Sequence, residues 1–278
     1  MTRVVRTREA LRAALESSTR PIGLVPTMGW LHEGHRALMA RARGENTTTV
    51  VTIFVNPRQF GDPGDLVRYP RNETRDVEAC AAQRVDLVFA PSVEEVYVPG
   101  FDTIVSVGAI AEPLEGAARP GHFEGVATVV AILFGLVRAE RAYFGQKDAQ
   151  QIAVIRRMAL DLAIPTEVIA CPTVREPDGL AMSSRNVHLS AAERAAAPVL
   201  RRALRAGRGA WDRGERSGDA LRAVLRRELG TEPLAHVEYV SCADAGTLAE
   251  LDRVDRPALL SLAVRFGTTR LIDNEPLG

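Results

Sequence analysis

Residues 22–35, with the sequence IGLVPTMGWLHEGH, decide how the fold of this chain is interpreted. Positions 22–25 are apolar and predict a buried strand, and the positions that follow the stretch begin a helical pattern. A strand that turns sharply into a helix leaves backbone N–H groups free at the helix start, where the helix dipole also favours negative charge. We therefore expect a phosphate-binding site here, with Gly29 and Gly34 allowing a ligand close to the backbone.

Two histidines, His32 and His35, lie in this predicted turn at i, i+3 spacing. A histidine at such a place can donate a hydrogen bond to a phosphate oxygen as negative charge builds up in a transition state. Two other interpretations stay open: a zinc-binding pair, and ordinary polar residues at a helix start. Zinc is disfavoured because the zinc-protease motif spaces its histidines at i, i+4 and requires a third ligand.

The chain before residue 173 alternates predicted strands with predicted helices. Strand-like runs lie at 21–28, 47–55, 85–90, 141–145 and 165–171, and helical patterns lie at 7–17, 33–43, 72–84, 125–138 and 148–162. This alternation predicts an α/β fold with a Rossmann-like parallel sheet. Ligands of such sheets bind past the carboxyl ends of the strands, so residues 28–35, 56–59 and 145–148 are expected at one edge.

The pattern changes near residue 173. Residues 172–179 are rich in turn formers, and they are followed by predicted helices at 190–207 and 217–229 and by strand-like runs at 236–241 and 258–265. We predict two domains, a Rossmann-like domain over 1–173 and a smaller α+β domain over 174–278.

Composition excludes several classes of protein. The chain has 278 residues, no net charge and 46% hydrophobic residues, so a full core can form but an extended nucleic-acid surface is not expected. The longest apolar run, 125–137, is too short to cross a bilayer, and the N-terminus lacks the apolar core of a signal peptide. Three widely spaced cysteines indicate no disulfide framework. These features predict a cytoplasmic protein without membrane partners.

Lys147 is the single lysine in a chain with 35 basic residues, all the others being arginine. A compact ammonium can approach a phosphate as a point charge, which a planar guanidinium cannot. The retained lysine therefore marks residues 144–151, at a predicted strand-to-helix junction, as a candidate nucleotide contact. Survival of one lysine by chance is the alternative.

Three other polar segments carry candidate chemistry. Asn56 and Gln59 follow a predicted strand, where their amides suit the hydroxyls and carboxylate of a small substrate, although Asn-Pro is also common in turns. Asp148 either accepts from ribose hydroxyls or caps a helix. Residues 182–186, MSSRN, form either a phosphate clamp of hydroxyls and guanidinium or an ordinary helix cap.

Taken together, these segments resemble the pantothenate synthetase family, the AMP-forming pantoate–β-alanine ligases. The matching segments, in the family's order, are PTMGWLHEGH (26–35), FVNPRQF (54–60), DLVRYPR (65–71), RPGHFEGV (119–126), FGQKDAQQ (144–151) and REPDGLAMSSRN (175–186). The last of the similar stretches, RLIDN, lies at 270–274. One departure is Gln146, where the family usually has glutamate.

The resemblance implies a fold and a reaction. The family belongs to the nucleotidyl-transferring group with HIGH and KMSKS-type signatures, for which residues 32–35 and 182–185 stand here. Its members condense (R)-pantoate with β-alanine through a pantoyl adenylate and release AMP and pyrophosphate, with ATP as substrate and Mg²⁺ accompanying it. The resemblance also implies a homodimer formed through the N-terminal domain.

The resemblance further implies a role for each matched residue. His35 would be the proton donor, and His32 and Lys147 would stabilise charge on the transferred phosphoryl group. The ATP-binding set would be Met28, Gly29, Trp30, Leu31, His32, Glu33, Gly34, His35, Gly145, Gln146, Lys147, Asp148, Val174, Met182, Ser183, Ser184 and Arg185. Pantoate would be held by Gln59 and Gln151, with Asn56 in the same subsite and Gln59 also beside β-alanine. The metal ligands are left open, since only Asp76, with Arg75 beside it, falls in the corresponding region.

Two alternative functions stay open. A related nucleotidyltransferase would pass AMP to a phosphorylated acceptor, but the amides at Gln59 and Gln151 offer no basic acceptor pocket. A nucleotide-binding regulatory protein without catalysis is disfavoured by the presence of His35, Lys147 and Arg185.

Overall fold

The structure is a computed structural model that describes residues 1–61 and 63–278. The chain divides into two compact units. The first comprises Met1–Gly145 and Gln150–Pro172, and the second comprises Gln146–Ala149 and Thr173–Gly278. The domain limits predicted from composition stay a prediction, and the grouping of residues 146–149 with the second unit is a feature that composition did not indicate.

In the described part of the first unit, six strands form one parallel sheet in the order β1-β4-β3-β2-β5-β6. The strands are β1 (Arg3–Val5), β2 (Ile22–Thr27), β3 (Thr48–Ile53), β4 (Leu87–Phe89), β5 (Arg141–Gly145) and β6 (Glu167–Cys171). The predicted α/β fold with a Rossmann-like sheet is confirmed. Because β2, β3 and β5 are parallel neighbours, their carboxyl ends lie at one edge.

Helices cover both faces of this sheet. They are α1 (Arg8–Glu16), α2 (Glu33–Glu45), α3 (Pro63–Arg68), α4 (Glu73–Ala82), α5 (Val93–Val96), α6 (Glu115–Ala118), α7 (His122–Val137) and α8 (Ala149–Asp161), with short 3-10 helices at Pro57–Gln59 and Gly108–Ala111. Successive strand residues face opposite layers: Leu24 and Val50 pack with α1, α7 and α8, whereas Val25 and Val51 pack with α2 and α4. This explains why the strands are apolar almost throughout.

The second unit contains an antiparallel sheet of β7 (His236–Asp244), β8 (Ala258–Phe266) and β9 (Thr269–Leu277). Its helices are α9 (Ala191–Ala196), α10 (Val199–Asp212) and α11 (Gly218–Leu229), with 3-10 helices at Gln146–Asp148 and Ser184–His188. The predicted small α+β fold is confirmed.

Two details of the prediction for this unit are wrong. The helix predicted over 190–207 is interrupted, because Pro198 cannot donate a backbone hydrogen bond and separates α9 from α10. Strand β9 is missing from the prediction, because the polar pair Asp273 and Asn274 interrupts its apolar alternation although both side chains are buried. Among the described residues, no helix combines the length and the apolar character that crossing a bilayer requires.

Glu140 joins the amino ends of β2, β5 and β6. Its Oε2 accepts a 2.7 Å hydrogen bond from the backbone N–H of Ile22, and its Oε1 accepts one of 2.6 Å from Nε of Arg20. Its backbone groups continue the pairing of both neighbouring strands, donating to Ile22 O at 3.1 Å and accepting from Glu167 N at 2.8 Å. Burial raises the pKa of Glu140, but the hydrogen bonds from Ile22 and Arg20 outweigh burial and lower that pKa below its ordinary value.

We predict that Glu140→Gln destabilises the protein at pH 7 by up to about 1 kcal/mol, the range of a partly exposed ion pair. A carboxyl whose folded-state pKa is lowered stabilises the fold above its unfolded pKa of about 4.3, and this stabilisation disappears as the pH falls through the folded value. The difference in melting temperature between parent and variant should therefore shrink between about pH 5 and pH 3. A difference that stays constant over that range would contradict the assignment.

Candidate active site

The loop after β2 is held in an unusual backbone conformation by a buried carboxylate. Gly29 and Trp30 have φ angles of +81° and +51°, and L side chains are rarely found in that region. Asp76 on α4, 1% exposed, accepts hydrogen bonds from Trp30 N at 2.7 Å and from Leu31 N at 2.8 Å. A Cβ at position 29 would lie 2.8 Å from Asp76 Oδ2, so glycine is required there by the carboxylate.

Arg75 holds the same loop from the neighbouring position of α4. Its Nη2 donates to Leu31 O at 3.0 Å, and its guanidinium lies 4.6 Å from the centre of the Trp30 ring. The expectation of freely available N–H groups in this turn therefore needs correction, since the amides of Trp30 and Leu31 are committed to Asp76. The Leu31 side chain is also in the core, at 1% exposure.

The two histidines cap the start of α2. His32 Nδ1 accepts from Gly34 N at 3.1 Å, and His35 Nδ1 accepts from His32 N at 3.3 Å. Their rings lie 4.1 Å apart. A neutral imidazole that accepts at Nδ1 carries its proton at Nε2, so both rings hold an Nε2–H donor, the form suited to a phosphate oxygen.

The remaining residues of this motif are placed as follows. Glu33 forms an exposed ion pair with Arg36 at 2.6 Å, and the Gly34 amide is used by His32. Met28 is half-buried between the end of β2 and the Gly29 turn. Thus His32 and His35 cap the helix with their rings, while Gly29, Trp30 and Leu31 hold the shape of the motif.

After β3, the side chain of Asn56 forms hydrogen bonds within the protein at every polar position. Nδ2 donates to Gln59 Oε1 at 3.0 Å and to Gly125 O at 3.1 Å, and Oδ1 accepts from Arg58 N at 3.2 Å and from the Tyr97 hydroxyl at 2.7 Å. Asn56 is 1% exposed. The geometry gives Asn56 the role of holding the turn, and the turn chemistry considered from the sequence is present.

Gln59 is also held by Arg119, which precedes α7, and by His122, the first residue of α7. Its backbone oxygen lies 2.9 Å from His122 Nδ1 and accepts from Arg119 Nη2 at 3.2 Å. Because Arg119 Nη1, a donor only, lies 3.2 Å from His122 Nε2, the proton of neutral His122 is on Nδ1 and is donated to Gln59. The residues around position 120 thus position a candidate substrate residue.

Tyr97 and Gly125 complete this cluster. Burial raises the pKa of Tyr97 to about 12, although the nearby Arg58 charge lowers it, so the hydroxyl stays a donor at ordinary pH. The Arg58 guanidinium lies 4.8 Å from the Tyr97 ring centre and 4.7 Å from that of Phe101. A Cβ on Gly125 would approach Arg58 O to 2.3 Å, so glycine allows α7 to lie against the 57–59 turn.

On α8, the adjacent glutamines differ in their surroundings. Gln150 is 6% exposed and fixes the 110–115 segment, donating to Ile110 O and Pro113 O and accepting from Glu115 N at 2.9 Å. Gln151, the candidate pantoate contact, is half-buried in the first turn of α8.

In the second unit, Asn274 on β9 holds the turn that contains Lys147. Its Nδ2 donates to Gln146 O and to Lys147 O, each at 2.9 Å, and its Oδ1 accepts from Gln146 Nε2 at 3.4 Å. Gln146 therefore uses an amide donor here, which a carboxylate would lack. The Lys147 ammonium pairs with Asp148 Oδ1 at 3.0 Å and is 18% exposed.

The adjacent residue of β9 holds the other candidate segment of the unit. Asp273, with a 1% exposed side chain, accepts from both Nη atoms of Arg175 at 2.6 and 3.1 Å. Arg175 also donates to Gly179 O, in the turn that closes the 174–182 hairpin. Met182 N donates to Val174 O at 3.0 Å across this hairpin. Strand β9 therefore carries the residues that fix both the Lys147 turn and the 174–182 hairpin.

The MSSRN segment begins the 3-10 helix Ser184–His188. Ser183 Oγ caps it by accepting from Arg185 N at 3.3 Å, so the capping role considered from the sequence is present. Ser184 is buried, whereas Met182, Ser183 and Arg185 are half-buried. The 3-10 helix packs beside β9, like the Lys147 turn.

The candidate residues therefore form two sets. The first unit brings together His32, His35, Asn56 and Gln59 at the carboxyl ends of adjacent strands. The second unit brings Lys147 together with the 174–186 segment. Asp76, Tyr97, His122, Asp273 and Asn274 hold these residues and were not singled out as such from the sequence. Among the described residues, no group of three or more His, Cys, Asp or Glu side chains is arranged to hold a metal ion.

Comparison with known proteins identifies the family of this chain. The family model described as pantoate-beta-alanine ligase matches residues 2–276. The chain belongs to the pantoate–β-alanine ligase family. Among curated relatives, the pantothenate synthetase of Roseiflexus castenholzii is 62% identical over 272 residues, covering 98% of both chains. That of Roseiflexus sp. strain RS-1 is 63% identical, covering 95% of this chain and 94% of its own.

Solved structures of ligases in this family share the fold. The pantothenate synthetase of Thermus thermophilus is 49% identical, with a TM-score of 0.94 and 98% of each chain covered. The pantoate-beta-alanine ligase of Francisella tularensis, complexed with beta-gamma ATP and beta-alanine, is 32% identical, with a TM-score of 0.83 and coverage of 99% of this chain and 97% of its own. The six-stranded parallel sheet and the small C-terminal domain are thus those of a ligase family.

We predict that Asp76→Asn lowers the free energy of unfolding by about 1–3 kcal/mol, because the amide cannot accept from both backbone N–H groups and leaves one buried donor unpaired. Urea unfolding measures this value. Asp102→Asn is the matched control: Asp102 is exposed, and its replacement should change stability by less than about 0.5 kcal/mol. Equal stability of the two variants would show that Asp76 does not fix the loop.

Proposed function

We propose that the chain condenses (R)-pantoate with β-alanine at the expense of ATP, giving pantothenate, AMP and pyrophosphate. The observation that carries this proposal is the family match over residues 2–276, supported by a related ligase of Francisella tularensis that binds an ATP compound and β-alanine. In the first step the pantoate carboxylate attacks the α-phosphate and pyrophosphate leaves. In the second, the β-alanine amine attacks the acyl carbon of the pantoyl adenylate and AMP leaves.

The first step, in which the adenylate forms, needs hydrogen-bond donors and positive charge at the phosphate oxygens of ATP. His32 and His35 each hold a proton on Nε2, and we assign His35 as the proton donor and His32 as a group that stabilises the transferred phosphoryl. Lys147 adds a positive charge, and Ser183, Ser184 and Arg185 serve the outer phosphates and the adenine side. Gly145, Gln146, Asp148 and Val174 belong to the same nucleotide set.

For the acid substrate we assign Gln59 and Gln151, with Asn56 holding Gln59 in place. The strongest support is that Gln59 is fixed both through its backbone oxygen and through its side-chain oxygen, at 8% exposure. A prearranged amide lowers the cost of ordering the site when the substrate binds.

We further propose that Mg²⁺ accompanies ATP and would be held chiefly by the nucleotide, and that it would supply positive charge against the phosphates. Asp76 is already used by two backbone amides, which leaves it poorly suited as the anchor of a metal site. A homodimer, a cytoplasmic location and the lack of nucleic-acid partners are likewise proposals, the last supported by the zero net charge.

One assay tests the function directly. The full chain is incubated with ATP, D-pantoate, β-alanine and MgCl₂, and AMP and pantothenate are measured together. We expect both products in equal amounts, and pyrophosphate exchange with ATP that requires pantoate but not β-alanine. Exchange that depends on a phosphorylated acceptor would favour AMP transfer to phosphate, and ATP binding without any turnover would overturn the assignment as an enzyme.

We predict that Lys147→Ala slows pantoate-dependent pyrophosphate release by about 100-fold or more, as expected for the loss of a preorganised charge contact. Lys147→Arg keeps the charge but changes its shape, and we expect it to be impaired as well. Arg157→Ala is a matched control, because Arg157 forms an exposed ion pair with Asp161 on α8. A Lys147→Ala rate within about threefold of the parent would remove Lys147 from the mechanism.

A further inference from the structure

The orientation of the Asn56 amide is fixed by two backbone groups whose roles are unambiguous. Arg58 N–H can only donate, and it lies 3.2 Å from Asn56 Oδ1. The carbonyl oxygen of Gly125 can only accept, and it lies 3.1 Å from Asn56 Nδ2. A flipped amide would place two donors together and two acceptors together, so the assignment of oxygen and nitrogen in Asn56 follows from the backbone.

This orientation determines the orientation of Gln59 in turn. Asn56 Nδ2 has a second hydrogen, directed at a side-chain atom of Gln59 at 3.0 Å, and that atom must be the acceptor Oε1. Gln59 Nε2 is then left with two N–H groups. Within the described residues it has no hydrogen-bond partner, although Gln59 is only 8% exposed. Nε2 does not belong to the fully buried unpaired side-chain atoms of the described residues, so this donor is open to solvent and suits a ligand that accepts hydrogen bonds.

Tyr97 also helps to fix the orientation of the Asn56 amide. Its hydroxyl donates to Asn56 Oδ1 at 2.7 Å, a shorter contact than the 3.2 Å from Arg58 N. The ring is 8% exposed and lies between the Phe101 ring, 5.0 Å away, and the Phe54 ring, 6.1 Å away, with Arg58 against its face. The hydroxyl therefore has little freedom to turn away from Asn56.

We propose that Tyr97 is a positioning residue that acts through Asn56 to fix the polarity of Gln59, so that Gln59 offers its substrate only N–H donors. The substrate atom at Gln59 is then an oxygen lone pair, of the carboxylate or a hydroxyl of the acid. This inference rests on the proposed function, since it concerns the same acid subsite. It adds a residue of that site and the direction of one hydrogen bond.

The first test is Tyr97→Phe in the full chain, with steady-state kinetics for each substrate. Loss of one buried hydrogen bond should raise KM for pantoate about fivefold to tenfold, while KM for ATP and kcat at saturating pantoate stay within about twofold of the parent. Tyr143→Phe is the matched control. Tyr143 is also buried, at 0% exposure against 8% for Tyr97, and its hydroxyl bonds to Glu45 at 2.9 Å and Asn46 at 2.7 Å, away from Gln59.

The second test examines polarity. Gln59→Glu keeps the oxygen that faces Asn56 but replaces the ligand-facing N–H groups with a carboxylate oxygen. We expect Gln59→Glu to have a KM for pantoate about tenfold higher than Gln59→Ala, because an acceptor then faces an acceptor and two negative charges approach each other. Thermal unfolding of all variants checks that each one is folded at the assay temperature.

The outcomes separate the inference from the function it depends on. An active parent whose Tyr97→Phe variant changes KM for pantoate no more than Tyr143→Phe does would overturn the role of Tyr97. An active parent whose Gln59→Glu variant binds pantoate as well as Gln59→Ala would overturn the polarity. A parent without pantoate-dependent turnover would overturn the proposed function, and this inference with it.

Discussion

A single buried carboxylate holds the motif on which the rest of the site depends. Asp76 receives the amides of Trp30 and Leu31, which follow β2 in a left-handed turn that L residues rarely adopt. Such strain persists only where surrounding contacts over-determine it. By fixing this turn, Asp76 sets where α2 begins, and hence where His32 and His35 cap that helix through their Nδ1 atoms.

In the second unit, buried polar side chains again fix the candidate segments, here from strand β9. Asp273 and Asn274 are buried polar neighbours on β9, and each holds one candidate segment through hydrogen bonds to backbone or guanidinium groups. A buried ion pair such as Arg175–Asp273 contributes little net stability, because desolvation offsets its attraction. The pair instead fixes the position of Arg175, because any arrangement that left Asp273 or Arg175 buried without its partner would cost far more free energy.

Sequence patterns predicted the elements that local interactions determine. The apolar runs identified β2, β3 and β5, and the histidine, amide and lysine motifs at their ends identified the candidate site. The residues that hold the candidate site in place were missed, because their roles depend on contacts between positions far apart in sequence. Asp76 and Trp30 are 46 residues apart, and Asn274 and Gln146 are 128 apart. A buried aspartate or asparagine carries no local signal that distinguishes it from an exposed one.

The choice of an amide at Gln59 has a physical reason under the proposed reaction. In the proposed reaction the pantoate carboxylate must remain nucleophilic. A guanidinium that paired with it in a bidentate manner would stabilise the unreacted carboxylate strongly and so make it less reactive. Arg58, the adjacent residue, has its charge held against the rings of Tyr97 and Phe101. A neutral N–H donor of fixed direction, such as the one proposed for Gln59, would orient the substrate oxygen while withdrawing less charge from it. Under the proposed reaction, Gln59 would therefore orient the pantoate oxygen without pairing its charge, and the carboxylate would keep its nucleophilic character for the attack on the α-phosphate.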